Sequence, residues 1–132
     1  MTAVQVLAVD TSALMAVVLG ESHADQCIAA LQSEGDILIS AATVAEALIV
    51  AERRNVRDEM QRLIEGLGLT VVAVTAATAQ RVARAYEQWG KGNHKAGLNF
   101  GDCFSYDIAK AHDCPLLYVG ADFALTDVTS VV

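Results

Sequence analysis

Four acids of this chain are candidates for chemistry, Asp10, Glu46, Asp102 and Asp122, and none is diagnostic alone. Asp10 closes the apolar run Val4–Val9 and is followed by Thr11 and Ser12, then by the apolar stretch Ala13–Leu19. A carboxylate there can cap a helix, which is worth ~1 kcal/mol. Thr11 or Ser12 would cap it equally well, so capping alone does not require an acid. Glu46 sits within Ala41–Ala51, a stretch apolar on nearly every side of a helix. An ionised carboxylate in such surroundings is costly unless paired or bound to a metal. Arg53 and Arg54 lie beyond the i,i+4 reach that would pair it. Asp102 opens a helix in Asn99-Phe100-Gly101-Asp102-Cys103-Phe104, where an acid also complements the helix dipole. Asp122 follows a strand and Gly120, a residue that permits positive φ, and Asp127 is a supporting acid beyond it. Asp107 reads instead as a surface partner of Lys110, one helical turn later. Carboxylates gathered in one pocket repel one another and raise each other's pKa. A hard divalent cation held by few carboxylates and waters removes that conflict, which points to Mg²⁺, or Mn²⁺, rather than zinc.

The elements that must position these acids follow from hydrophobic periodicity and turn residues. Strands are predicted over Val4–Val9, Ile37–Ile39, Leu69–Val74 and Leu116–Val119, with a last short strand over Val128–Val132. Helices are predicted over Ala13–Leu19, Ser22–Gln32, Thr43–Arg54 and Val56–Glu65, then from the cap Thr75 to Trp89 and over Phe100–Ala111. Ser33-Glu34-Gly35-Asp36 reads as a turn and Gly90–Gly97 as a flexible, polar loop. Strands separated by helical patterns define an α/β chain. The expected architecture is a three-layer α/β/α fold around a central, mostly parallel sheet of about four or five short strands. In open sheets of this kind ligands bind beyond the carboxyl ends of the strands, where Asp10 and Asp122 fall. No repeat, low-complexity tract or Pro/Ser-rich linker divides the chain, so residues 1–132 are expected to form a single domain.

The net charge of −7 at first opposes a nucleic-acid partner, but its distribution is uneven. Between Arg53 and Lys95 lie eight of the nine basic residues and four acids, a local balance of +4. The remainder carries one basic residue and twelve acids, a balance of −11. Such asymmetry focuses a local field, and it makes Arg53, Arg54, Arg57, Arg81, Arg84, Lys91 and Lys95 candidates for contact with a nucleic-acid backbone or an acidic partner. A hydrophobic content of 54% excludes a disordered chain. Nothing approaches the ~20 uninterrupted apolar residues of a membrane span. Met1–Leu19 lacks the basic flank of a signal peptide, and Asp10 interrupts it. Cys27, Cys103 and Cys114 form no CxxC pair and have no His at zinc-like spacing, so they read as reduced thiols of a cytoplasmic protein.

Taken in order, the blocks that carry the four acids resemble the PIN-domain family, and within it the VapC-type toxins. They are Val9-Asp10-Thr11-Ser12-Ala13-Leu14, Ser40-Ala41-Ala42-Thr43-Val44-Ala45-Glu46-Ala47, Leu98–Tyr106 and Pro115–Asp127. The resemblance spans essentially the whole chain. It places Asp10, Glu46, Asp102 and Asp122 on the family's four acidic positions, with Asp10 and Asp102 as direct metal ligands. Thr11 or Ser12 falls on the hydroxyl position beside the first acid. The chain departs from the pattern at Ala121, where many relatives carry Asn or Asp, and at Asp107, where many carry a small apolar residue. The resemblance implies Mg²⁺-dependent hydrolysis of RNA phosphodiester bonds, with Glu46 and Asp122 binding the metal through water or orienting the attacking hydroxide. It also implies a cognate antitoxin that blocks the site, and a homodimer or toxin–antitoxin hetero-oligomer.

Other chemistries lose at the motif level. A haloacid-dehalogenase-type phosphatase wants a second Asp two residues after the first, where Ser12 stands. Neither a P-loop nor a GxGxxG is present, which removes nucleotide-binding readings. A phospho-accepting signalling domain wants paired acids near the first strand and a late strand-end Lys, where Gly120-Ala121-Asp122 stands. The alternative from a different class is a catalytically silent PIN scaffold that only binds protein or RNA; the presence of all four acids argues against it.

Overall fold

Strand β1 (Leu7–Val9) runs straight into helix α1 (Thr11–Leu19), with Asp10 alone between them. The computed structural model describes residues 5–33 and 35–131. Helix α2 (Ala24–Gln32), strand β2 (Ile37–Ser40) and helices α3 (Ala41–Arg53) and α4 (Arg57–Leu67) follow. Strand β3 (Thr70–Val72), helix α5 (Ala76–Trp89), helix α6 (Phe100–Ala111), strand β4 (Leu116–Leu117) and a 3₁₀ turn at Phe123–Leu125 complete the order. The strands pair as β3-β2-β1-β4, every pair parallel.

Alternation along the inner strands builds two cores at once. Leu7, Val9, Ile37, Ile39 and Leu117 pack with Met15, Cys27, Leu31, Ala47 and Met60 from α1 to α4. Ala8, Leu38 and Leu116 point the other way, onto Val82, Leu98, Cys103, Phe104 and Ile108. Each fully buried Leu, Ile or Phe contributes roughly 1.5–3 kcal/mol, so both faces must be covered and the result is three layers. No helix among the described residues is long and apolar enough to cross a membrane.

The element boundaries shift for local reasons. The first strand begins at Leu7, and Val4 of the expected run lies outside the described residues, as does Glu34 of the expected turn. Helix α3 starts two residues early because the Ser40 hydroxyl accepts the Ala42 N–H at 3.2 Å. Helix α4 continues through Gly66 and stops at Gly68, whose φ of 63° is the left-handed C-cap. The expected strand over Val128–Val132 reduces to one parallel bridge, Ser130 to Leu116, with Val132 outside the described residues. The Gly90–Gly97 loop is more ordered than its composition implies. Lys91 N donates to Leu98 O at 2.9 Å and Leu98 N to Trp89 O at 3.1 Å. The His94 ring sits edge-on to Trp89 at 4.8 Å, and Ala96 N donates to His94 Nδ1.

Asp107 corrects a larger expectation. Helix α6 is buried continuously from Cys103 to Ala109, so Asp107 faces inward and is 4% exposed. Its carboxylate accepts Arg81 Nε at 2.7 Å and Nη2 at 3.1 Å, a two-pronged pair across α5 and α6. Lys110 turns instead to Asp127, at 3.1 Å. Arg81 is therefore committed within the fold, and the surface pairing of Asp107 with Lys110 does not form. Replacing Arg81 by Ala strands a buried carboxylate. Because the Arg81 side chain is 40% exposed, the expected loss is about 2 kcal/mol, below that of a fully buried pair. It is read as a lower urea midpoint at unchanged slope.

Candidate active site

At the carboxyl edge of the sheet, Asp10 is held by donors from two helices. Its backbone N–H donates to Leu117 O at 3.0 Å, which fixes the residue beside β4. As N-cap of α1 it accepts Ser12 N at 3.0 Å and Ser12 Oγ at 2.7 Å, both on Oδ2. Oδ1 accepts the Ser105 hydroxyl of α6 at 2.6 Å. Ser12 Oγ in turn accepts Val119 N at 3.0 Å. Asp10 is 3% exposed, so these donors replace the water it has lost.

Glu46 and Asp102 approach the same place from α3 and α6. Thr11 Oγ1 donates to Glu46 Oε1 at 2.5 Å. Asp102 and Asn99 form a reciprocal cap at the start of α6: Asn99 N donates to Asp102 Oδ2 at 3.0 Å, and Asp102 N to Asn99 Oδ1 at 2.8 Å. A cleft of 280 Å³ opens here, lined by Asp10, Ser12, Asn99, Asp102, Val119 and Asp122 among others. Asp122 stands exposed at its mouth, just ahead of the 3₁₀ turn.

The clustering is visible in the acid strengths. Burial pushes the Asp102 carboxyl up, the Asn99 N–H partly offsets this, and the charges of Asp10, Glu46 and Asp122 push it further, to about 6. Burial likewise raises Glu46, with the Thr11 hydroxyl opposing and Asp10 adding to the rise. Among the described residues no three His, Cys, Asp or Glu side chains converge closely enough to cage an ion by themselves.

The PIN domain family matches residues 7–128. Ribonuclease VapC36 of Mycobacterium tuberculosis is 46% identical over 123 residues, covering 90% of this chain and 88% of its own length. This chain belongs to the PIN-domain family, among the VapC ribonucleases. Solved structures of lower identity share the fold. VapC20 of Mycobacterium tuberculosis, a sarcin–ricin loop cleaving toxin, superposes with a TM-score of 0.75 at 17% identity, covering 95% of this chain and 98% of its own. A toxin–antitoxin complex from Klebsiella pneumoniae gives 0.68 at 20% identity, covering 92% of each chain.

Within this PIN domain the residues singled out from sequence separate into two groups. Asp10, Thr11, Ser12, Glu46 and Asp102 are joined by hydrogen bonds or by mutual charge, and Asp122 shares the cleft of Asp10, Ser12 and Asp102. Asp127 does not join them: it accepts Tyr106 Oη at 2.8 Å and pairs with Lys110. Arg53, Arg54, Arg57, Arg84, Lys91 and Lys95 are exposed, and none lines the acid cleft. Two residues went unnoticed in the sequence. Ser105, 1% exposed, lies one turn after Asp102 on the same helix face, a spacing that could have drawn attention to it. Gly101 matters for what it lacks, because a Cβ there would stand 2.0 Å from Glu46 Oε2.

Two outcomes follow for the VapC chain. Gly101→Ala pushes the Glu46 carboxylate aside while improving the helix by roughly 0.5–1 kcal/mol. It should therefore keep or raise Tm yet lower turnover, and an unchanged kcat would show that the Glu46 position is not critical. The second concerns pH. The folded Asp102 value of about 6 exceeds the ordinary 3.8, so the folded chain holds that proton more tightly than the unfolded one. Its stabilising contribution is complete below the ordinary value and is lost as pH rises through 6. In metal-free buffer Tm should fall between about pH 4 and 6 on this account, and less steeply in Asp102→Asn.

Proposed function

We propose that this protein is a divalent-metal-dependent endoribonuclease and the toxin of a toxin–antitoxin pair. The carrying observation is that, in a chain of the VapC group, Asp10, Asp102 and Asp122 line one cleft while Glu46 of α3 packs against Gly101 beside it, close enough for its charge and that of Asp10 to act on Asp102. Their donor atoms are all oxygen. That fits Mg²⁺, which keeps several waters and takes one or two carboxylates, with Mn²⁺ as a substitute. Asp10 and Asp102 would hold the ion directly, and Glu46 and Asp122 through water. A bound ion would lower the pKa of a water and offset charge on the phosphate.

The chain's own residues supply the rest. Ser12 and Ser105 hold both oxygens of Asp10 in place. Thr11 fixes one oxygen of Glu46 and leaves the other to orient the attacking water. Asp122 acts from the exposed side of the cleft. Water adds to phosphorus as the bond to the departing sugar oxygen breaks, and the proton removed from water ends on that oxygen or in solvent. Arg53, Arg54, Arg57, Arg84, Lys91 and Lys95 would follow the RNA backbone or receive an acidic stretch of the antitoxin. We place the reaction in the cytoplasm, with the chain as a homodimer or in a hetero-oligomer with its antitoxin.

Asp10→Asn is the direct test. Losing a metal ligand removes several kcal/mol of transition-state stabilisation, so cleavage of total RNA in Mg²⁺ should fall at least about a hundredfold. Calorimetry with Mn²⁺ should show one site in the parent and none in the variant. Equal cleavage by the two proteins would overturn the proposed roles.

A further inference from the structure

The first turn of α6 carries a residue that the acid site does not use. Phe100 is 71% exposed, more than any other large apolar side chain among the described residues. Its ring is nonetheless positioned: it packs edge-on to Phe104 with centroids 5.1 Å apart and planes at 83°, and Phe104 is part of the core. Phe100, Gly101 and Asp102 are consecutive, so they fan out around the helix by about 100° each. Asp102 and the preceding Asn99 line the acid cleft, and Gly101 receives Glu46. Phe100 therefore lies about 160° around the helix from Asp102, beyond Gly101 on the Glu46 side of the same turn, and outside the lining of the acid cleft.

A fixed aromatic ring with an open face beside a phosphodiester-cleaving cleft matches a flat nucleobase. Such stacking needs an unpaired base, and it tolerates any base identity. Asn99, exposed next to the ring, offers polar contact at its edge. A protein-docking anchor is usually ringed by contacts that exclude water, whereas the residue before this ring, Asn99, is polar and exposed.

We propose that Phe100 is a stacking platform for a nucleobase of single-stranded RNA beside the cleaved phosphate. The proposal rests on the ribonuclease reading above. It is tested with a labelled oligoribonucleotide spanning a mapped cut site, using the parent, Phe100→Ala and Phe100→Trp. Binding is measured in the Asp10→Asn background and cleavage in the active one. Phe100→Ala should weaken binding by about ten- to a hundredfold, raising KM more than it lowers kcat, and Phe100→Trp should restore it. Mn²⁺ affinity should be the same for all three active-background proteins. In a series of oligonucleotides each lacking one base, a single position should reproduce the loss in the parent and add nothing in Phe100→Ala. Undiminished RNA binding by Phe100→Ala, or a loss that no single missing base reproduces, overturns the stacking role. If Phe100→Ala instead weakens self-association or antitoxin capture while cleaving normally, the ring is a protein contact and the stacking proposal alone falls. A parent that cleaves no RNA removes the ribonuclease reading, and this proposal with it.

Discussion

A carboxylate that is 3% exposed sets the terms for the rest of the structure. Asp10 cannot be left without hydrogen bonds, because a desolvated charge with no partners would cost several kcal/mol. Its donors come from α1 and α6, and Ser12 extends the arrangement to Val119 just after β4. Satisfying one side chain thus fixes the end of β1, the entry of α1 and the approach of α6 to the sheet. The short strands give the sheet little length of its own, so this polar junction and the two flanking cores share the work of holding the layers in register.

The same residues serve structure and chemistry, and the two uses do not compete. Asp10 caps α1 with Oδ2, and Asp102 closes a reciprocal cap at α6 with its own Oδ2. Helix N-termini favour negative charge, so both carboxylates are anchored where the backbone welcomes them. What the backbone does not relieve is their burial and, added to it, their mutual repulsion, which together raise the Asp102 and Glu46 carboxyls above their ordinary pKa. A cation is the one partner that would lower all of these charges together without breaking any cap, which is why the donor set and the VapC relationship point the same way.

The acids differ in how legible they were. Asp10 and Glu46 declared themselves through context, one between a buried strand and two hydroxyl residues, the other inside an apolar helix. Asp102 reads as an ordinary helix-start acid until its place in the family pattern is considered, and the fold puts it both in a helix cap and on the wall of the acid cleft. The errors lie where a residue's meaning depends on the packing of one helix against another. Nothing local marks Asp107 as buried, because its partner Arg81 is 26 residues away and the inward face of α6 is set by α5. Asp127 was drawn toward the other acids by proximity in sequence, yet Tyr106 and Lys110 hold it elsewhere. Gly101 is informative only once α3 has been brought within reach of α6. The shortness of the strands had the same origin: hydrophobic runs mark burial, while the hydrogen-bonded length depends on the neighbouring strand.

Charge arrangement then explains how an acidic protein can serve a polyanion on the ribonuclease reading. The cleft itself is acidic and repels phosphate until a cation is present. The exposed basic residues lie outside it, along the ends of α3 and α4, on α5 and in the loop before α6. Arg81, which the sequence would add to that set, is withdrawn by Asp107. On that reading attraction and reaction would be separated in space: long-range pull would act on the backbone away from the cut, and approach to the acids would depend on the ion. In such an arrangement electrostatics alone sets no register between the RNA and the cleft, because backbone charges repeat at every nucleotide. Register requires a contact that can tell a base from a phosphate, and the stacking proposed for Phe100, on the same helical turn as Asp102, would provide one.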